Sequence, residues 1–172
     1  MSRDVLSVLV EDKPGVLARV AGLFARRGFN VESLAVGPTE IPEVSRMTIV
    51  VNLEDQPLAQ VIQQLDKLID VIAIEELSVQ AGIERELILV KIQVKERDRT
   101  ALKQSINPNI CRVVDESDSM LTIEAAATPF EIKQLLSRLS EFGVAELVQS
   151  GVVAIGRGPA ALNEKLRTGA EN

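Results

Sequence analysis

The sequence predicts an α+β protein made of two successive domains, each with the element order β-α-β-β-α-β. Two observations support this: short stretches with alternating apolar residues are separated by stretches with helical apolar spacing, and the whole pattern occurs twice in 172 residues. This order is the ferredoxin-like arrangement, a four-stranded antiparallel sheet with two helices on one face. We expect domains at 1–80 and 84–157, followed by a tail at 158–172.

The first half contains an apolar strand, an acidic turn and an amphipathic helix that Gly28 is placed to end. In the stretch 45–53, apolar residues alternate with polar ones, which predicts one buried face and one wet or interfacial face. A Pro at position 57 favours the start of a second helix, whose apolar stripe runs to Ile69. The expected elements are strands at 5–10, 31–36, 45–53 and 71–79 and helices at 16–27 and 58–69.

The second half repeats this order after a short linker at 80–84. Thr128 and Glu131 have the spacing of a capping box, and Phe130 is expected on the apolar stripe of the helix that follows. Loop-like residues at 105–109 leave open whether the preceding helix is complete or only two turns long. The expected elements are strands at 86–94, 110–114, 120–126 and 144–148, helices at 97–106 and 129–142, and an extended segment at 151–155.

Composition restricts the possible functions. The formal net charge is −6 and aromatic residues make up only 2% of the chain, which argues against a nucleic-acid platform. The chain has no histidine, so Ser-His and Cys-His nucleophile systems are excluded. Cys111 is the single cysteine, which excludes an intrachain disulfide and a thiolate metal cluster, and its apolar neighbours predict a buried strand residue.

The chain contains no apolar run long enough to span a membrane, and its first residues lack a signal-peptide pattern. We therefore expect a cytoplasmic protein that does not bind membranes. An enzyme of ferredoxin-like fold that uses Asp and Arg chemistry is an alternative, although no paired carboxylates share a face.

The turn between the first strand and the first helix is the candidate binding site. An amino acid presents a carboxylate and an ammonium group, so its site needs both donors and acceptors. Asp12 supplies an acceptor, Gly15 allows close approach, and the first N–H groups of the helix, at Val16 and Leu17, are donors. Asn30 begins the next strand, and its side-chain amide offers both a donor and an acceptor. A purely structural alternative is that Asp12 caps the helix and Gly15 permits the turn.

The predicted sheets leave one face open, because both helices cover the other. Val5, Leu9, Leu34 and Val50 are candidates for the open face. A second copy of the chain, related by a two-fold axis, is the usual way to cover such a face or to join two sheet edges. Such a dimer would be able to complete the ligand turn with residues from both copies.

Two further motifs favour structural interpretations. Asp115, Glu116 and Asp118 suggest a cation site, but they lack the Gly and the distal Glu of a calcium loop, which favours a solvated hairpin turn. The glycines at 156 and 158 match part of a dinucleotide fingerprint. The chain has no room after them for the required βαβ unit, so nucleotide binding is disfavoured.

The turn at 12–17, together with 28–31, resembles the amino-acid-binding loop of the ACT domain, a regulatory βαββαβ module. Longer stretches resemble the small regulatory subunit of acetolactate synthase over residues 4–157, and the Gly-Phe-Asn-x-Glu-Ser-Leu segment at 28–34 separates that family from ACT domains generally. The further matching stretches are 6–9, 22–27, 45–48, 65–71, 84–91 and 112–115.

This resemblance implies a non-catalytic subunit, dimeric through its ACT domains. Such a subunit binds and activates a large catalytic subunit and confers inhibition by valine or another branched-chain amino acid. Thiamine diphosphate, Mg²⁺ and FAD are expected in the large subunit, with no cofactor or metal in this chain. The resemblance assigns the effector ammonium to Asp12, the carboxylate to Gly15, Val16 and Leu17, and a bridging role to Asn30. The alternative is a free-standing ACT-type sensor that regulates another biosynthetic enzyme.

Some family members carry Asn where this chain has Asp12, which affects how the effector is held. The segment 104–109 also replaces a more helical, apolar family segment.

Overall fold

The structure is a computed structural model and describes residues 2–53, 57–78 and 80–164. It contains two four-stranded antiparallel sheets, which confirms the predicted fold class. The chain divides into two compact units, one formed by 1–83 with 152–172 and the other by 84–151. The predicted strand end at Val79 and the end of the tail at 165–172 lie outside the described residues.

The first unit has strand order β2-β3-β1-β4, so β2 and β4 are the edges of its sheet. Strand β1 lies in the middle and pairs antiparallel with both β3 and β4. The elements are β1 (Ser2–Glu11), α1 (Val16–Arg27), β2 (Asn30–Pro38), β3 (Val44–Leu53), α2 (Leu58–Leu65) and β4 (Val71–Leu77).

Helix α1 has the predicted bounds because both of its ends are fixed by glycine. Gly28 has a φ of 68°, and its N–H donates to the carbonyl of Ala25. The next N–H, of Phe29, donates to the carbonyl of Phe24, which completes a Schellman motif. The two Phe rings contact edge to face, with centroids 5.8 Å apart.

Helix α2 is shorter than the spacing predicts. It ends at Leu65, and the chain then turns through bonds from the N–H of Leu68 to Leu65 and from the N–H of Val71 to Leu68. These i to i−3 bonds bring Val71 beside Val10 in the sheet. The prediction that Ile69 lies on the apolar stripe is wrong: it is 94% exposed.

The face of the first sheet that packs against the helices forms the main core, which includes Leu6, Val8, Met47 and Ile49. The opposite face, predicted to be wet or interfacial, is also buried at its centre, so it is not wet there. Thr48 and Val50 of β3 are buried there. The prediction for Leu34 is wrong as well, because it packs against the main core.

Residues 152–164, here called the C-terminal strap, cover this second face. The N–H of Val152 donates to Ser33 Oγ at 2.9 Å, and the N–H of Ala154 donates to Thr48 Oγ1 at 3.3 Å. The apolar residues buried together there are Val5, Val50, Leu77, Val152 and Ala154. The strap therefore covers Val5 and Val50, for which a second copy was the predicted cover.

By its contacts the strap groups with the first unit. Residues 152–157 belong to the first unit, whereas the sequence placed them in the second domain. Within the predicted tail, Asn163 is buried, and Leu162 packs against Leu9, Val44 and Ala73. The reason is that the strap carries apolar residues, such as Val152 and Ala154, which are buried against the apolar face that the helices leave open.

The second unit has strand order β6-β7-β5-β8. Its core is aliphatic, and Cys111 is buried in it as predicted. Burial of its thiol raises the pKa of Cys111. The elements are β5 (Gly82–Gln93), α3 (Glu96–Ser105), β6 (Cys111–Glu116), β7 (Met120–Ala127), α4 (Pro129–Leu139), a 3₁₀ turn (Ser140–Phe142) and β8 (Val144–Gly156).

Three details of this unit bear on the predictions. The capping box of Thr128 and Glu131 is confirmed, with bonds in both directions. Helix α3 is complete over ten residues, which decides against the two-turn alternative. Phe130 is 69% exposed, so its predicted place on the apolar stripe is wrong, because position N2 of the helix projects outward from the core.

Candidate amino-acid-binding turn

The turn at 12–17 is fixed to two neighbouring segments by its backbone. The N–H of Glu11 donates to the carbonyl of Asp70 at 2.9 Å, and the N–H of Asp12 donates to the carbonyl of Glu43 at 2.8 Å. The loop at 39–43 and the end of the α2–β4 connection therefore frame the turn. Asp12, Gly15 and Leu17 are exposed, so the turn is open to a ligand.

Gly15 directly precedes α1 and has a φ of 88°, a conformation that favours glycine. Helix α1 has no side-chain cap, so Asp12 does not cap it, and the structural alternative for this residue is wrong. The N–H of Val16 donates back to the carbonyl of Lys13 at 3.3 Å. In the first helical turn, the next N–H group, that of Leu17, has no intrahelical acceptor.

Arg19 lies beside this turn and was not singled out from the sequence. A Cβ placed on Gly15 would lie 3.1 Å from Arg19 Nη1, so the guanidinium group covers the position where glycine has no side chain. Arg19 Nε donates to Asp70 Oδ2 at 2.6 Å, and Asp70 is 6% exposed. Among the described residues, the two Nη groups of Arg19 have no acceptor. They are available to a carboxylate.

The spacing of Arg19 was a usable signal, because a residue four positions after Gly15 lies one helical turn above it. Its partner Asp70 is 51 residues away, which no local pattern reveals.

A second charged pair lies on the same turn. Lys13 Nζ donates to Glu11 Oε2 at 2.8 Å, and this hydrogen bond raises the pKa of Lys13. The turn therefore combines exposed carboxylates with the guanidinium of Arg19. This mixture of signs matches a zwitterion better than it matches a simple anion or cation.

Asn30 lies at the opposite end of the same sheet. It pairs with Asn52, and Asn52 pairs with Arg3 near the start of β1. At a rise of about 3.3 Å per residue, the stretch from Arg3 to Asp12 spans roughly 30 Å. One copy of the chain brings Asp12, Gly15, Val16 and Leu17 together, but it does not bring Asn30 to them.

The acidic hairpin at 115–118 is held by cations of α3. Glu116 accepts from Lys103 Nζ and from Arg99 Nη1, and these bonds lower the pKa of Glu116. No cluster of three or more metal-ligating side chains occurs among the described residues. Gly156 is the last residue of β8 and Gly158 lies in the bend that follows it, and within residues 157–164 no further strand completes the βαβ unit of a dinucleotide site.

The first unit, with its β-α-β-β-α-β order and open turn, matches the family model described as "AHAS small subunit-like ACT domain" over residues 6–73. The chain therefore carries an ACT regulatory domain. Residues 85–158 match the model described as "Small subunit of acetolactate synthase". The chain belongs to the family of acetolactate synthase small subunits, the regulatory subunits of an enzyme of branched-chain amino acid biosynthesis.

Relatives and a solved structure agree with this assignment. The acetolactate synthase small subunit of Mycolicibacterium smegmatis is 52% identical over 157 residues, 91% of this chain and 92% of that protein. The probable small subunit of Methanothermobacter thermautotrophicus is 44% identical, over 90% and 92% of the two chains. The crystal structure of the Thermotoga maritima small subunit has a TM-score of 0.82 at 30% identity, covering 93% of this chain and all of that one.

Family membership implies a catalytic large subunit as partner. In the described ranges, every helix is too short or too polar to span a bilayer.

Proposed function

We propose that this chain activates a thiamine-diphosphate-dependent acetolactate synthase large subunit and confers feedback inhibition by valine or another branched-chain amino acid. The observation that carries the proposal is the exposed turn at 12–17, which contains the carboxylate of Asp12 and in which the guanidinium of Arg19 lies against Gly15. This arrangement complements the two charges of an amino acid.

The two ends of the effector are recognised by different groups. Asp12 takes the ammonium group. The carboxylate lies beside Gly15, where the backbone N–H groups of the first helical turn and Arg19 Nη1 are the donors. Because the N–H of Val16 already donates to Lys13, the N–H of Leu17 is the better donor of the two that the family resemblance suggests.

A second copy supplies Asn30. Strand β2 is an edge of its sheet, with Asn30 at one end and Pro38 at the other. If the β2 strands of two copies pair antiparallel about a two-fold axis, Asn30 of one copy faces the Pro38 end of the other. That end leads into the loop at 39–43, whose Glu43 carbonyl holds Asp12. The site is then completed from both copies.

An apolar groove beside β2 supports this edge as the dimer seam. The groove has a volume of about 270 Å³ and lies between α1 and β2. A second copy that continues the sheet would cover it and remove apolar surface from water. The groove is lined by Val20, Ala21, Phe24, Ala25, Phe29, Val31, Leu34 and Ile49.

The effector acts by favouring one relative arrangement of the two ACT domains in the dimer over another. An effector shifts such an equilibrium only if it binds the inhibited arrangement more tightly than the active one. A ligand held by residues of both copies meets this condition, because a change at the seam alters its contacts. The large subunit responds to the relative arrangement of the two ACT domains. We assign the catalytic chemistry, with thiamine diphosphate, Mg²⁺ and FAD, to that subunit.

Reconstitution tests this function. The purified chain is mixed with a matching large subunit, and acetolactate formation is measured with and without valine, leucine and isoleucine. We expect the chain to raise turnover and at least one of the three amino acids to lower it again. No change in turnover on mixing contradicts the proposal and favours a free-standing sensor for another enzyme. Turnover by the chain alone would favour the enzymatic alternative.

Two glycine variants locate the site in the same assay. Gly15→Asp places a carboxylate where the effector carboxylate lies, so we expect activation without inhibition. Gly143→Asp is the matched control, because Gly143 also has a positive φ, of 89°, lies in the second unit, and would bring a Cβ only to 3.8 Å from the carbonyl oxygen of Gln93, an ordinary contact. Full inhibition of the Gly15→Asp variant would mean that the effector binds elsewhere.

A further inference from the structure

Two residues near the end of the C-terminal strap contact the loop that joins β2 to β3. Asn163 is 7% exposed, and its side-chain amide Nδ2 donates to Glu40 Oε1. Leu162 packs in an apolar group with Leu9 and Val44, which flank the loop and the turn at 12–17, here called the effector turn. Neither strap residue belongs to the effector site, so these contacts need another explanation.

The loop at 39–43 has a defined conformation. Thr39 Oγ1 donates to the carbonyl of Val44 at 2.9 Å and accepts from the N–H of Ile41 at 3.1 Å. At the end of the loop, Glu43 has a φ of 61°, in the left-handed region that residues with a side chain rarely adopt. Such a conformation persists only when the surrounding contacts fix it. The contacts to Glu40 and Val44 are two of them.

The same loop determines where Asp12 lies. The carbonyl of Glu43 accepts the N–H of Asp12 at 2.8 Å. A change in the backbone of Glu43 therefore moves the acceptor that holds the effector turn. A continuous series of contacts runs from Asn163 to Glu40, along the loop to Glu43, and from Glu43 to Asp12.

We propose that Leu162 and Asn163 are positioning residues for the effector turn, acting through the loop at 39–43. The strap thereby does more than cover the sheet: its end holds Asp12 in the position that binds the ammonium group. The consequence for the effector rests on the proposed function. The structural consequence, that the strap fixes the backbone of Asp12, holds in the absence of any effector.

The chemistry of the Asn163 contact provides a sharp test. Glu40 offers a carboxylate, so residue 163 must be a donor. Asn163→Asp has nearly the same shape but brings a second carboxylate against the first, and the two repel each other. Adding Glu40→Gln to Asn163→Asp restores the hydrogen bond with its direction reversed: the amide at position 40 donates and the carboxylate at position 163 accepts. Asn109→Asp, at an exposed position of the second unit, is the control for the change in net charge.

Hydrogen exchange of the full chain without effector measures the predicted change. We expect Asn163→Asp to speed exchange of the Asp12 amide by about fivefold, the double variant to return it to within about twofold of the unmodified chain, and Asn109→Asp to leave it unchanged. The amide of Ile49, in the main core of the first unit, reports whether the unit that carries the substitutions is folded. If Asn163→Asp does not fold, Asn163→Ala removes the donor without adding charge and is expected to speed exchange by a smaller factor.

Unchanged exchange at Asp12 in a folded Asn163 variant would overturn the inference. In the reconstituted enzyme, we expect Asn163→Asp to raise the half-inhibiting concentration of valine by about fivefold while activation is retained. If Gly15→Asp abolishes inhibition but Asn163→Asp leaves it unchanged, the inference fails and the proposed function stands. If no branched-chain amino acid inhibits the large subunit reconstituted with the unmodified chain, the proposed function fails. Hydrogen exchange at the Asp12 amide then decides by itself whether the strap fixes the effector turn.

Discussion

At the scale of single residues, the effector turn is held by the ion pair of Arg19 and Asp70, which joins helix α1 to the segment just before β4. Asp70 is buried, and its carboxylate accepts from Arg19 Nε while its carbonyl accepts from the N–H of Glu11. One residue thus fixes both the end of β1 and the start of α1, on either side of Gly15. A hydrogen bond to a charged group contributes about 1.5–3 kcal/mol to stability, less where one partner is half exposed, as Arg19 is.

Asp70→Asn tests this role. The amide keeps the size of the side chain but loses the charge that attracts Arg19, so we expect the free energy of unfolding to fall by about 1–2 kcal/mol. Urea denaturation measures the change. Asp66→Asn, four residues earlier and exposed, is the matched control and should differ little from the unmodified chain. Equal stability of both variants would show that the pair contributes nothing measurable.

At the scale of elements, helices α1, α2 and α4 have ends that are fixed in different ways. The bounds of α1 were predictable because Gly15 and Gly28 both adopt positive φ. The capping box of α4 was also predictable, because Thr128 and Glu131 are only three residues apart and their spacing is visible in the sequence. The end of α2 was not, because the bond between Glu11 and Asp70 that fixes the chain after Leu65 joins residues far apart in sequence.

The capping box of α4 predicts a pH dependence. Hydrogen bonds from the Thr128 hydroxyl and N–H lower the pKa of Glu131 below its ordinary value. A carboxyl whose pKa is lower in the folded state stabilises the fold fully above its unfolded pKa, and this contribution is lost as the pH falls through the folded value. We therefore expect Glu131→Gln to be less stable than the unmodified chain near pH 7.

The difference in stability should shrink as the pH falls below about 4.5. Thermal unfolding at a series of pH values measures it, and Glu141→Gln, at the exposed 3₁₀ turn, is the control. A constant difference between pH 7 and pH 3 would contradict the ionic contribution of the cap.

At the scale of the whole molecule, the order of elements and the location of the turn followed from the sequence, whereas the C-terminal strap did not. Each half carries its own alternating and helical patterns, so the fold class could be predicted. The strap depends on contacts such as that of Val152 with Ser33, which are 119 residues apart. Its apolar residues predicted an extended segment, but nothing in their spacing identified the sheet that they cover.

The proposed dimer seam can be tested through the exposed side of α1. Ala25 lines the apolar groove beside β2 and is exposed, so Ala25→Glu should not disturb the core. A charge there would be buried without a partner in the dimer, and we expect the dimer to dissociate at protein concentrations where the unmodified chain remains paired. Sedimentation velocity measures this.

Ala101→Glu, on an exposed position of α3, is the matched control and should leave the assembly unchanged. An unaltered dimer in the Ala25→Glu variant would place the seam away from the groove.

The most direct test of the account is whether the effector site contains residues of two copies. In a dimer of two identical variant chains, Gly15→Asp or Asn30→Ala damages both sites. In a mixed dimer, one of the two sites combines the intact turn of the Asn30→Ala chain with the intact Asn30 of the Gly15→Asp chain. Calorimetric titration of valine, leucine and isoleucine into the two variants, first separately and then after unfolding and refolding them together, measures this. We predict no binding by either variant alone and recovery of about a quarter of the normal sites in the mixture, since half of the dimers are mixed. No recovery in the mixture, with full binding by the unmodified chain, would contradict a site shared between copies.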